Sequence, residues 1–143
     1  MLNKTFKNKK ILIFGNTGFK GSWLTIALLN LGAEIYGVSI NVPTSPSLFK
    51  VTNLKNKIKF IQSDIRNKKK VKSIVDKIQP DFIFHLAAQS IVLNSILDPT
   101  FTFETNSIGT MNILEALRNY NKKIAVVIVT SDKCYENIEK KAP

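Results

Sequence analysis

Three glycines spaced three apart, in Gly15-Asn16-Thr17-Gly18-Phe19-Lys20-Gly21, mark the first stretch of this sequence that could do chemistry. Glycine at the first position permits a tight turn, at the second it lets backbone approach a pyrophosphate, and at the third it lets a helix pack closely on a strand. A helix starting there adds unspent N–H groups and the positive end of its dipole. Ordinary turns also use glycine, so the flanks carry the argument. Lys10 to Phe14 is a short apolar run, and Phe19, Trp23, Ile26, Ala27, Leu28 and Leu31 recur near helical spacing before Gly32, a C-cap residue. Strand, glycine turn and helix in that order predict a dinucleotide-binding loop with Gly15, Thr17, Gly18, Phe19 and Gly21 as contact residues.

Further candidates follow the other apolar runs. Asn41 lies near the end of the second, where an acidic residue commonly accepts from the adenosine ribose hydroxyls and an arginine would suit a 2′-phosphate. Asparagine can bond a hydroxyl but lacks the charge that excludes NADP. With no arginine beside it, NAD is the expected cofactor. Asp64 and Ile65, in Ser63-Asp64-Ile65-Arg66, are placed to meet adenine, and Asp64 could also cap a helix beginning near Asn67. Ala87, Ala88 and Gln89 are a small-residue wall against which a cofactor could lie. His85, the only histidine, reads as a strand-end residue held by backbone bonds rather than a catalyst. Asn106 is polar on an otherwise apolar helix, either reaching across to a strand or making an interhelical hydrogen bond. Thr130 to Asn137 collects hydroxyl, carboxyl and amine groups after the fifth run, where open parallel sheets bind ligands. A polar loop with an Asp132–Lys133 ion pair is the equal alternative.

These residues need a scaffold that brings strand ends together. Glu34 to Ile40, Ile58 to Gln62, Asp81 to Leu86 and Ile124 to Thr130 read as further strands. Lys68 to Ile78 reads as a helix, and helix dominates from about Ser90 to Tyr120 with Pro99 a break or fresh start. Pro43, Ser45, Pro46 and Ser47 mark a loop. Strands that are continuous apolar runs, alternating with helices, predict an α/β fold: a Rossmann-type doubly wound parallel sheet of order 3-2-1-4-5, filling residues 1–143 as one domain. No internal repeat is visible.

Composition narrows the partners. With 44% apolar residues the chain can bury a core, and no apolar run approaches the roughly 20 residues of a membrane helix. The formal charge is +11, from 21 basic and 10 acidic residues, but the lysines are scattered and no aromatic residues interleave with them. Neither a nucleic-acid nor a membrane partner is expected, although a positive field favours an anionic ligand. Cys134 is the single cysteine, so no internal disulfide or zinc cluster is expected, and a reducing cytoplasmic setting fits.

Taken together these motifs resemble the extended short-chain dehydrogenase/reductase family, and within it the CDP-glucose 4,6-dehydratases. The resemblance runs over nearly the whole chain, through Gly15 to Trp23, Pro43 to Phe49, Asp64 to Arg66, His85 to Gln89, Asn106 to Ala116 and Thr130 to Asn137. It implies an internal redox cycle in which NAD takes hydride from C4 of a nucleotide sugar, CDP-glucose, water leaves across C5 and C6, and hydride returns to C6. It further implies that Ser131 bonds the 4-hydroxyl, Asp132 is the acid at the departing 6-hydroxyl, and Lys133 stands at the position of the base acting at C5. A homodimer is the implied assembly. Three departures stand out: Asn41 replaces an acid, Leu93 and Ile96 replace an arginine and a tyrosine, and the tyrosine-lysine pair is missing. Tyr36, Tyr120 and Tyr135 are followed four residues later by Ile40, Ile124 and Glu139. The expectation is a family member represented by its N-terminal portion, without the substrate lobe and without turnover on its own. A non-catalytic nucleotide-binding module, or another sugar-nucleotide epimerase or dehydratase, is the alternative.

Overall fold

The strand β1 (Lys10–Phe14) is the element on which the others assemble. In the computed structural model, which describes residues 2–131, its Ile11, Leu12, Ile13 and Phe14 expose no surface. Side chains alternate across a strand, so one strand feeds two layers. Leu12 and Phe14 join Val38, Ile83, Val71, Val75 and Ile113 on one side, while Ile11 and Ile13 join Leu28, Ala33 and Ile35 on the other. Around β1 lie β2 (Glu34–Ser39), β3 (Lys59–Gln62), β4 (Phe82–His85) and β5 (Ala125–Ile128). All pairings are parallel and the order is β3-β2-β1-β4-β5, as the sequence predicts. The chain turns back between β1 and β4, which opens a crevice at the carboxyl ends of those strands.

Numbering the helices in chain order, α1 (Leu2–Phe6) precedes β1, and α2 (Phe19–Asn30) covers the Ile11/Ile13 face. α3 (Leu48–Val51) and a 3-10 turn (Leu54–Asn56) follow β2. α4 (Lys68–Ile78) and α7 (Gly109–Leu117) cover the opposite face. α4 buries Val71, Val75 and Ile78 at positions i, i+4 and i+7 and turns its lysines outward. Its cap is Asn67, whose side chain accepts from the Lys70 N–H at 3.0 Å, so Asp64 does not fill that role. The helical stretch before α7 divides into α5 (Val92–Leu97), α6 (Pro99–Phe103) and a π-helical turn (Glu104–Ile108). Pro99 is a fresh start: Asp98 caps α6 by accepting from the Phe101 N–H at 2.9 Å.

Two local expectations change. α1 and the α3 region had no strong periodicity to announce them; Phe6, just ahead of β1, packs its ring on Phe82 with centroids 5.1 Å apart, and Phe49 and Leu54 are buried. α2 forms where expected but turns a different face inward. Gly21, Ser22, Thr25 and Leu28 are buried, whereas Phe19 and Trp23 lie 74% and 53% exposed. No helix among the described residues is long and apolar enough to cross a membrane.

Among the described residues β5 pairs on one side only, with β4, and its Val127 and the adjoining Val129 are each 46% exposed. An unpaired apolar strand is a template for a second copy. The purified chain is expected to self-associate at high concentration, and Val127→Lys to raise its monomer fraction in analytical ultracentrifugation. A monodisperse wild-type monomer would contradict this.

Candidate functional site

Three backbone segments meet at the carboxyl end of β1. Gly15 has φ +87°, and its N–H donates to the Val38 carbonyl at 2.7 Å. A Cβ there would stand 2.5 Å from the Ala87 nitrogen, and one on Gly21 would stand 2.1 Å from the Gly15 carbonyl oxygen. Glycine is therefore demanded at both positions from inside the protein. Gly18 differs. It is the N-cap of α2 at φ −68°, a conformation open to any residue, and a Cβ would meet only the Gly15 oxygen at an ordinary 3.5 Å. Nothing among the described residues requires glycine there, so its missing side chain leaves room for something approaching from outside. The first turn of α2 has no side-chain cap and no acidic residue, unlike α4 and α6, which are capped by Asn67 and Asp98. Its amide donors and dipole are thus left for an anion. Phe19 borders this cradle through its backbone, since its ring faces solvent.

Thr17 is turned inward. Its hydroxyl donates to the Asn41 carbonyl at 2.6 Å and its N–H to the Ser39 hydroxyl at 3.3 Å, while Ser39 donates to Asn16 Oδ1 at 2.9 Å. The glycine loop and the end of β2 are thereby fastened together, with the exposed Asn41 beside the cradle. Asn16 is fully buried and its Nδ2 finds no partner among the described residues. The Ser39 and Asn16 links were not foreseen, although two polar residues adjoining buried runs were a visible signal.

Beyond β3, Asp64 is bound by its neighbour. Arg66 donates to it from Nε (2.9 Å), Nη2 (2.7 Å) and its backbone N–H (2.8 Å). Burial alone would raise the Asp64 pKa, but these bonds and the guanidinium charge hold it below the usual carboxylate range. The Ile65 side chain is buried against Gly109, so this residue can face a ligand only through its backbone. Asn112, buried on α7 and not foreseen, secures the same loop by donating to the Ile65 and Arg66 carbonyls, both at 3.0 Å.

The end of β4 supplies the other wall. Asn106 reaches across to the loop: its Oδ1 accepts from the Gln89 N–H at 2.8 Å and its Nδ2 donates to the Gln89 carbonyl at 2.9 Å. Asn106 sits in the π-helical turn, whose altered pitch sequence periodicity does not announce. Ala87 lines the crevice beside Gly15, and Ala88 is exposed next to it. His85 is 3% exposed with its ring edge-on to Phe14. Its strand bonds are supplemented by a side-chain contact, Nε2 to the Thr110 hydroxyl at 2.8 Å. Thr110 has one proton and donates it to the Asn106 carbonyl at 2.7 Å, so His85 Nε2 is the donor and Nδ1 carries no proton. Nδ1 is buried with no partner among the described residues, and burial lowers the His85 pKa from 6.5 to about 4. Ser131 lies exposed just past β5, while Asp132, Lys133 and Cys134 fall outside the described residues.

The family model described as GDP-mannose 4,6 dehydratase matches residues 12–142. The chain is 39% identical over 140 residues to CDP-glucose 4,6-dehydratase of Salmonella typhimurium, covering 97% of this chain and 39% of that protein. It is 36% identical to CDP-paratose 2-epimerase of Salmonella typhi, covering 91% of this chain and 39% of the relative. Among solved structures, the Thermus thermophilus UDP-glucose 4-epimerase complex with NAD superposes with a TM-score of 0.68 at 32% identity, over 78% of this chain and 34% of that one. The chain thus spans about two fifths of the length of the curated relatives it matches.

Because the unfolded chain protonates His85 near its ordinary 6.5 and the folded chain only near 4, the unfolded state binds more protons between those values. Stability should therefore fall as pH drops from 6.5 towards 4, by roughly 1 kcal/mol per pH unit from this residue. Urea melts of wild type and His85→Asn across that range check the point. An equal pH slope in the two proteins would refute it.

Proposed function

The chain belongs to the GDP-mannose 4,6-dehydratase family, and from that membership we propose that it is the cofactor-holding part of a sugar-nucleotide dehydratase that binds NAD and acts on CDP-glucose. The observation that carries the proposal is Gly18, where the cradle has space that no internal contact uses, over helix donors that no side chain caps. A pyrophosphate has the charge and the acceptor oxygens for that space. Gly15, Gly18, Phe19 and Gly21 would hold it by backbone. Thr17 fixes the loop, and Asn41 offers a neutral side chain to the adenosine ribose. Asp64 and the backbone of Ile65 face the adenine. Ala87, Ala88 and Gln89, the last anchored by Asn106, form the wall towards the nicotinamide.

Bound NAD would serve as a reversible hydride acceptor. The chain's own residues then act on the sugar. Ser131, past β5 at the carboxyl side of the sheet, hydrogen-bonds the 4-hydroxyl. Asp132 protonates the departing 6-hydroxyl and Lys133 takes the proton from C5, which requires a lysine pKa depressed by burial or by positive neighbours. CDP-glucose is the favoured substrate because the chain is 39% identical over 140 residues to the Salmonella dehydratase of that name. Neutral His85 is too buried to take part and holds Thr110 instead.

Two measurements test this reading. Gly18→Ala should leave the melting temperature close to wild type, since surface changes of this kind cost within about 0.5 kcal/mol, yet lower NAD affinity in calorimetry by on the order of tenfold. Unchanged affinity would remove the proposed phosphate site. For the reaction, Asp132→Asn in the full-length protein should abolish loss of water from CDP-glucose while NAD binding persists, and a variant with undiminished turnover would exclude Asp132 as the acid.

A further inference from the structure

Arg66 carries no proposed contact with a ligand, yet each of its three guanidinium nitrogens donates to a carboxylate. Nε and Nη2 donate to Asp64 Oδ2 at 2.9 and 2.7 Å, Nη1 donates to Glu104 Oε2 at 3.1 Å, and the guanidinium carbon lies 4.4 Å from the centre of the Phe101 ring. Its backbone takes part as well, with the N–H on Asp64 Oδ1 at 2.8 Å and the carbonyl accepting from Asn112 at 3.0 Å. A short aspartate on a loop end would otherwise turn freely about its terminal torsion. Here its carboxylate plane is set by a fork that α6 and the π-helical turn hold from behind.

The Asp64 carboxylate keeps one acceptor site beyond those that Arg66 fills. A carboxylate offers about four lone-pair directions. Two on Oδ2 meet the guanidinium and one on Oδ1 meets the Arg66 N–H, which leaves one direction on Oδ1 for a donor from outside. We infer that Arg66 is a positioning residue that holds Asp64 so that this remaining Oδ1 lone pair accepts the exocyclic amino group of adenine. The inference rests on the cofactor site proposed above and gives it a determinant of base recognition. The pairing also offsets the Asp64 charge, so that an acceptor can stand near an anionic dinucleotide without a full unit of repulsion. A mere tie between the loop and α6 is the competing account. It would affect every dinucleotide alike.

The test compares NAD with nicotinamide hypoxanthine dinucleotide, in which a carbonyl oxygen replaces the adenine amino group, by titration calorimetry on the full chain. Wild type should prefer NAD by about tenfold, the worth of one hydrogen bond to a charged acceptor. Arg66→Gln should compress that preference to within about twofold, and Arg66→Lys, which keeps the charge but not the fork, should fall between. If Arg66→Gln does not fold, the lysine variant alone decides. Variants that keep the tenfold preference, even with lowered melting temperatures, overturn the inference in favour of a structural tie. A wild type that binds both dinucleotides equally removes Asp64 as the adenine acceptor and the inference with it, while leaving the phosphate cradle standing. A wild type that binds neither refutes the cofactor reading itself.

Discussion

The near-contact of Gly15, Gly21 and Ala87 is the constraint on which the remaining structure depends. Added β-carbons at Gly15 and Gly21 would stand 2.5 and 2.1 Å from neighbouring backbone, distances at which no side chain fits. Seating α2 this deeply leaves room only for small residues at the start of its inner face, so Gly21, Ser22 and Thr25 are buried there ahead of Leu28. The larger Phe19 and Trp23 turn outward as a result. Burial of apolar surface then falls chiefly to the opposite layer, where Val71, Val75, Ile78 and Ile113 pack on Leu12 and Phe14. Closeness on one face is balanced by bulk on the other.

Around that contact, the loops at the strand ends are fastened by single polar side chains. Thr17 reaches the Asn41 carbonyl, Asn112 the carbonyls of Ile65 and Arg66, Asn106 both backbone groups of Gln89, and His85 the Thr110 hydroxyl. Each such bond contributes only about 1 kcal/mol net. Their effect is mainly geometric, since connecting loops are otherwise the most mobile parts of a domain. Through them the segments expected to touch phosphate, ribose, adenine and nicotinamide are held in one frame. His85 shows the cost of this arrangement: as a neutral donor to Thr110 its Nδ1 is left buried with no partner among the described residues, and burial depresses its pKa to about 4.

Much of the candidate site was legible in the residues. The glycine spacing carried Gly15, Gly18 and Gly21, because each rule about them concerns local backbone and close approach. Asp64 and Gln89 were found from their places after apolar runs and Asn106 as a polar residue on an otherwise apolar helix, yet the particular bonds they make were not. That Arg66 would fork onto Asp64 and reach Glu104 depends on segments 38 residues apart meeting in space. Asn112 was missed because a polar residue on a buried helix face looks like any other until its acceptors are known. Thr17 was expected at the ligand and instead holds Asn41, since which way a loop side chain points is set by the strand beside it.

By itself the sequence determined the order of elements and the parallel sheet. Apolar runs that bury both faces of β1 and a period of 3.6 in α4 are local properties, and continuous runs alternating with helices admit few topologies. The same holds for the glycine loop, where Gly15 answers to backbone conformation and Gly21 to close approach. Tertiary structure alone decided which face of α2 is inward, that a π-helical turn carries Asn106, and that His85 is a neutral donor. Each of these depends on distances between segments remote in the chain, and neither residue type nor periodicity encodes how closely two such segments will approach.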